Sequence, residues 1–237
     1  MSAIEHQFHV VIPCAGSGSR AGLSAPKQYA LLAGKPLVMH TLDAFSKLPG
    51  LGTGVLVVSP GDTLINEICT QWPQPQFLIS PTGGETRAQS VLAGLDALEL
   101  HGVGANEWVL VHDAARCLIT QELITRLVKA CVNDDVGGLL ALALPDTLKT
   151  EVNGRVASTV NRSGKWLAQT PQMFKLGMLK RALLSAGDQV TDESSAIEAM
   201  GHSPLLIPSA SFNFKVTYAE DLQLAQSVLY SRSNLKQ

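Results

Sequence analysis

Two rhythms of apolar and polar positions take turns along this chain: short runs rich in β-branched residues, and longer stretches with helical spacing. His9-Val10-Val11-Ile12 is an apolar run that ends in a loop of Gly, Ser and Pro, the pattern of a buried strand. From Pro36 to Lys47 the apolar positions Leu37, Val38, Leu42 and Phe45 recur at helical spacing, and Pro36 suits a first turn. Gly54 to Ser59 predicts a second buried strand, closed by Pro60-Gly61. Asp62 is placed to cap a following helix toward Gln71, ahead of Leu64, Ile65 and Ile68. Phe77 to Ile79 predicts a strand, and Glu85 to Leu100 a long helix with Val91, Leu92, Leu95 and Leu98 on one face. Trp108 to Val111 is the next strand, Thr120 opens a helix to about Val132, and Gly137 to Leu144 returns as a strand. Strand and helix alternating at this spacing predict right-handed crossovers and an α/β fold with a mostly parallel, doubly wound sheet. Ligands collect beyond the carboxyl ends of such strands. A site is therefore expected at the loops 13–28, 81–87 and 112–117.

The rhythm changes after Pro145. Thr147 to Thr150 and Arg155 to Val160 alternate polar and apolar around Asn153-Gly154, a strong hairpin turn signal. A two-stranded hairpin is marginal alone. Residues 146–163 are therefore expected to project as an arm onto a second subunit. Helices resume from Leu176 to Ser185 and from Glu193 to Met200, followed by a strand near Leu205 to Ile207 and a last helix from Tyr218 to Tyr230. With no internal repeat, linker or low-complexity stretch, residues 1–237 read as a single domain plus the arm.

Composition narrows the function classes. The chain has 237 residues, 46% apolar and only 16% charged, which excludes disorder and coiled coil. Eighteen Lys+Arg against twenty Asp+Glu leave a net charge of −2, so non-specific binding of nucleic acid is not expected. No apolar run reaches the roughly 18 residues that a membrane span needs. Glu5 and His6 stand where a secretory signal would be basic, so none is expected. Cys14, Cys69, Cys117 and Cys131 lie far apart without a CxxC, which excludes the common zinc patterns and implies reduced thiols in a cytoplasm.

Four segments carry candidate chemistry. Pro13-Cys14-Ala15-Gly16-Ser17-Gly18-Ser19-Arg20, followed by Pro26-Lys27-Gln28, is a Gly/Ser loop after a strand, where backbone N–H groups can approach phosphate oxygens. Arg20 can fork across those oxygens and Lys27 can add a point charge. Gly16, Gly18 and Ala21 also match the dinucleotide fingerprint loosely, but Gly22, Ser24 and Pro26 interrupt the helix it needs. In Gly83-Gly84-Glu85-Thr86-Arg87, with Ser90 beyond, a glycine pair can bring backbone amides against a ligand edge, and Ser90 can hydrogen-bond it. The plainer reading is a turn with an acidic residue favoured by the helix dipole. His112-Asp113-Ala114-Ala115-Arg116 follows a strand directly: Asp113 can hold a ribose hydroxyl or a metal, Arg116 an anion, and His112 is either a base or a satisfied structural group. The last set is Thr147, Arg162, Thr191-Asp192-Glu193 and Phe214-Lys215-Val216-Thr217, each surface by itself and meaningful only together.

Those segments, with DTLK at 146–149, TVNR at 159–162, TDESSA at 191–196 and FKVT at 214–217, come in an order that closely resembles the 2-C-methyl-D-erythritol 4-phosphate cytidylyltransferases of the non-mevalonate isoprenoid pathway. The resemblance covers nearly the whole chain, although the first motif is shared with many sugar-nucleotide pyrophosphorylases. It implies a Rossmann-like nucleotidyltransferase fold, a homodimer joined through the arm, and an Mg²⁺-dependent reaction of CTP with methylerythritol phosphate that releases pyrophosphate. By the same resemblance Arg20 and Lys27 stabilise the transition state on the CTP phosphates, and Arg162 and Lys215 position the attacking phosphate. Pro13, Cys14, Ala15, Gly16, Gly18, Gly84, Glu85, Ser90, Asp113 and Ala114 surround the nucleotide. Arg116, Thr147, Thr191 and Asp192 complete the acceptor pocket, with Thr147 and Arg162 reaching the partner subunit's site. The metal is held mainly by the CTP phosphates, with no protein ligand set expected. The chain departs from the family pattern at Cys14 (commonly Ala), Asn161 (usually Asp) and Cys117 (usually Pro), and none of these removes a functional side chain. The Asn161 change loosens a contact that would orient Arg162. The readings in competition are a related nucleotidyltransferase acting on a ribitol or sugar phosphate, a nicotinamide-dependent oxidoreductase, and a nucleotide-binding regulator without turnover.

Overall fold

A computed structural model of the chain describes residues 6–16, 26–187 and 190–234. Its centre is a seven-stranded sheet in the order β11-β7-β10-β6-β1-β4-β5. The strands are β1 (Phe8–Pro13), β4 (Leu51–Val57), β5 (Phe77–Ser80), β6 (Trp108–Val111), β7 (Gly137–Ala143), β10 (Trp166–Lys175) and β11 (Leu205–Pro208). All neighbours pair in parallel except β10, which runs antiparallel to both β6 and β7. The doubly wound α/β sheet expected from the alternation is the one observed.

The central parallel strands β1 and β6 are largely apolar because their two faces meet different helix layers. Val10 and Ile12 of β1 pack with Val38, Met39, Leu42 and Phe45 of α1 (Leu37–Ser46) and with Leu123 and Leu127 of α4 (Gln121–Cys131). Val11, one step along the same strand, packs with Val91, Leu95 and Leu98 of α3 (Arg87–Leu100) and Leu179 of α5 (Leu176–Ala186). A smaller cluster ties Ala225 of α7 (Ala219–Asn234) to Leu32, Leu37 and Leu118. Thr120 caps α4 through Leu123 N–H, and Thr86 caps α3 in a capping box with Gln89. The helix expected from Glu85 thus starts two residues later, after its cap. Helix α2 (Leu64–Gln71) follows Asp62, whose Oδ1 accepts from Ile65 N–H at 3.4 Å while Oδ2 takes the Tyr29 hydroxyl at 2.6 Å. Among the described residues no helix is long and apolar enough to cross a membrane.

The sequence pattern missed three pieces. A 3-10 turn at Lys27–Tyr29 precedes a small hairpin of β2 (Leu31–Leu32) and β3 (Lys35–Pro36), turned by Ala33 and Gly34 at positive φ. More important is β10, which lies in the middle of the sheet yet contains Gln169, Thr170, Pro171 and Gln172, with its register to β7 shifted between Ala168 and Gln172. An internal proline argues against a central strand, and here the irregular register accommodates it. The expected hairpin forms as β8 (Leu148–Val152) and β9 (Arg155–Val160) around Asn153 and Gly154, both at positive φ, as the tightest hairpin turns require. Residues 145–159 are all exposed, so the hairpin stands away from the body of its own chain.

Candidate active site

Strand β1 lies between β6 and β4, and the loops leaving β1, β5 and β6 meet at the carboxyl edge of the sheet. There they enclose a cleft of about 310 Å³. Pro13, Cys14, Ala15 and Gly16 form one wall, Gly84, Glu85 and Ser90 another, and Asp113 and Ala114 a third. Lys27 and Lys215, distant in sequence, line the same space. Gly18 and Arg20 lie outside the described residues.

The walls are held by hydrogen bonds among themselves. Gln28 Nε2 donates to the carbonyls of Cys14 and Gly16 at 3.0 and 2.9 Å, and Ser59 Oγ donates to that of Ala15 at 2.8 Å. Gly83 N–H donates to Val58 O at 2.9 Å, and a Cβ at Gly83 would lie only 2.2 Å from the Ala15 Cβ. Glycine at that position is therefore what lets the second loop close on the first. Ser90 Oγ accepts from Gly84 N–H at 3.2 Å and donates to Thr86 O at 3.1 Å, which ties the glycine pair to the first turn of α3. Cys14 contributes backbone only: its side chain is buried, and burial pushes the thiol well above its ordinary range. It behaves as a small hydrophobe, not a nucleophile.

Electrostatics centre on Asp113. Its Oδ1 accepts from Arg87 Nε at 2.8 Å, and its Oδ2 lies 2.9 Å from Lys215 Nζ and 3.7 Å from Arg116 Nε. Burial alone would raise its pKa, but Arg87, then Lys215 and Arg116, overturn that and hold the carboxyl far below the usual range. Lys27 Nζ donates at 2.8 Å to the carbonyl of Val216, the residue after Lys215, so both lysines are anchored on one strap of chain. His112 does not face this chemistry. It is fully buried, Thr170 Oγ1 lies 3.1 Å from its Nδ1, and its Nε2 lies 3.2 Å from Arg116 O. A carbonyl can only accept, so Nε2 carries the proton and Nδ1 takes the Thr170 hydroxyl, whose oxygen in turn accepts Asp113 N–H at 3.0 Å. Desolvation drives the imidazole pKa down to about 3, which leaves a neutral structural group that sets the backbone beneath Asp113.

Other sequence candidates lie around this cleft. The Arg116 guanidinium, mostly buried, donates to Asn213 O at 2.8 Å. Thr191 and Asp192 line a smaller hollow of about 70 Å³ that shares Thr86 and Arg87 with the main cleft. The Asp192 carboxylate caps α6 (Glu193–Ala199) and accepts from Gln172 Nε2 at 2.8 Å. Thr147 and Arg162 stand exposed at the root of the arm, where Arg162 donates to Pro145 O. The sequence reading includes Gln28, Arg87 and Glu193 in its candidate segments but gives none of them a role of its own. Arg87 opens α3, where a cation opposes the helix dipole, and the structure offsets this with the carboxylates of Asp113 and Glu193.

The comparisons with known proteins agree with this geometry. Residues 8–231 match the family model of 2-C-methyl-D-erythritol 4-phosphate cytidylyltransferase. The 2-C-methyl-D-erythritol 4-phosphate cytidylyltransferase of Chromobacterium violaceum is 47% identical, over 94% of this chain and 97% of its own length. The bifunctional enzyme IspD/IspF of Albidiferax ferrireducens is 57% identical over 94% of this chain but 53% of its own, so the chain spans about half the length of that relative. A crystal structure of a 4-diphosphocytidyl-2C-methyl-D-erythritol synthase superposes with a TM-score of 0.84 at 36% identity, covering 95% of this chain and all of that one. A glycine-walled cleft at the strand ends and a match running almost from end to end lead to one assignment: the chain belongs to the 2-C-methyl-D-erythritol 4-phosphate cytidylyltransferases, a family of nucleotidyltransferase enzymes.

Proposed function

We propose that the cleft binds CTP and that the phosphate of 2-C-methyl-D-erythritol 4-phosphate attacks its α-phosphorus in line, giving 4-diphosphocytidyl-2-C-methyl-D-erythritol and pyrophosphate. The supporting observation is the convergence of Lys27 and Lys215 on one strap beside Asp113, at the mouth of a cleft walled by backbone. Each pair of like unit charges at 4 Å costs about 4 kcal/mol at an effective dielectric near 20, and in this reaction several such pairs approach. Neutralisation and alignment are then the main work of the protein. A phosphate monoester is largely ionised at neutral pH, so no general base is needed. A neutral, enclosed His112 is consistent with that chemistry.

In this reading Lys27, with Arg20, holds the triphosphate, while Lys215 and Arg162 orient the attacking phosphate. Arg116, Thr147, Thr191 and Asp192 belong to the acceptor side, and Pro13 to Gly16, Gly18, Gly84, Glu85, Ser90, Asp113 and Ala114 to the nucleotide side. Among the described residues no group of three His, Cys, Asp or Glu is placed to hold a metal ion. Asp113 has lone pairs beyond those given to Arg87 and Lys215, so the donor set fits an Mg²⁺ carried on the triphosphate with Asp113 as the protein's oxygen. Such an ion supplies charge neutralisation on the phosphates. Residues 1–237 then form one catalytic domain, and the hairpin at 146–163 joins two copies so that Thr147 and Arg162 serve the partner's cleft. The free thiols suit a cytoplasmic enzyme.

A coupled pyrophosphate assay across four nucleotides, with methylerythritol, ribitol and sugar phosphates as acceptors, tests the reading. Turnover is expected with CTP and methylerythritol phosphate alone. Lys27→Ala should lower kcat about 100-fold or more while the KM for CTP moves much less. Normal turnover of that variant at saturating CTP would reject the role given to Lys27.

A further inference from the structure

At the wall of the cleft, the half-buried Arg87 and the buried Glu193 form an ion pair for which the transfer reaction as described has no use. Glu193 is fully buried at the first position of α6. Its two oxygens take Arg87 Nη1 at 2.6 Å and Nη2 at 3.0 Å. A two-pronged contact of this kind fixes the plane of the guanidinium as well as its position. The third guanidinium nitrogen, Nε, is thereby delivered to Asp113 Oδ1 at 2.8 Å. Asp113 Oδ2 is then left for Lys215 at 2.9 Å. Arg87 is also the shared wall between the cleft and the hollow lined by Thr191 and Asp192, so it joins the nucleotide side to the acceptor side.

We infer that Glu193 is a positioning residue for the transfer: through Arg87 it sets the Asp113 carboxylate, and through Asp113 it aims Lys215 at the attacking phosphate. The inference rests on the cytidylyltransferase reading of the cleft. With Glu193 neutral, the Nη groups of Arg87 lose their counter-charge and turn to Asp113, where they compete with Lys215 for the same oxygens. Lys215 then has to be reordered in each turnover, whereas a fixed donor stabilises the transition state without reorganisation. Three cations against two carboxylates also leave a net positive charge at the cleft, suited to a polyanion.

The test is a double-mutant cycle on kcat for pyrophosphate release, with CTP affinity measured separately by calorimetry. Glu193→Gln should lower kcat about tenfold with CTP affinity within about threefold, because a small misplacement of a catalytic group is felt in the chemical step. In a Lys215→Gln background the same change should cost less than about twofold, because its effect passes through Lys215. An equal fold-loss in both backgrounds would show a merely structural role and overturn the inference. Loss of one of the two counter-charges of the half-buried Arg87 can prevent Glu193→Gln from folding. The paired Arg87→Met, Glu193→Met variant removes both charges together and should melt close to the wild type while kcat still falls about tenfold or more. Wild-type kcat in that paired variant would equally overturn it. Wild-type protein that releases no pyrophosphate from CTP and the acceptor would instead defeat the parent reading, and this inference with it.

Discussion

At the scale of single residues the cleft is a problem in charge placement. Lys27, Lys215 and the Gly83-Gly84 pair stood out in the sequence: Lys27 as a cation of the Gly/Ser loop, Lys215 as a cation amid apolar neighbours, and the glycines as a pair before a helix. Arg87 and Glu193 did not, because their meaning lies in a contact between positions 106 apart. His112 shows how the same imidazole can be read two ways until its partners are known. Its folded pKa, about 3, lies below the ordinary 6.5, so the unfolded chain takes up the proton first. Stability is therefore fully present above about pH 6.5 and should fall by about 1.4 kcal/mol per pH unit as the solution is acidified toward 3. The depressed carboxyl of Asp113 adds to the loss below its ordinary value of 3.8. Urea unfolding at pH 7 and about pH 5 measures this, and the difference should shrink markedly in His112→Gln. An unchanged difference would mean that other groups carry the acid sensitivity.

At the scale of elements, periodicity located nearly every helix and parallel strand, since apolar faces must repeat with the geometry of the element that buries them. It missed β10 because Gln169, Thr170, Pro171 and Gln172 spoil both rhythms, and those residues are polar for a reason outside the strand itself. Thr170 and Gln172 reach the HDAAR loop and the start of α6, so the strand is written for its contacts at the site. The junction of the two glycine loops is testable at the same scale. Gly83→Ala would bring a methyl within 2.8 Å of Val58 O as well as against Ala15. It should cost about 1–3 kcal/mol in stability and raise the KM for CTP. Gly16→Ala, whose added carbon meets nothing within 4 Å among the described residues, should melt as the wild type does. Equal melting temperatures for the two variants would show that the loops do not depend on this contact.

At the scale of the molecule, the exposed hairpin is the part of the fold that one chain does not explain. Its turn and alternation were plain in the sequence, and the proposed dimer would give it a second copy to pack on. If Arg162 serves the partner's cleft, mixing inactive Arg162→Ala with inactive Lys27→Ala protein should restore turnover, because each mixed dimer assembles one intact site. Mixed dimers confirmed by tagged co-purification but without activity would confine Arg162 to its own subunit. The placement of β10 has a consequence of a different kind. Trp108–Val111 is covered on one side by β1, made earlier, and on the other by a strand made much later. While the polypeptide is being synthesised, that apolar segment waits with a bare ladder of amide and carbonyl groups until Trp166–Lys175 has emerged. Translation that stalls in the interval leaves a ready template for self-association.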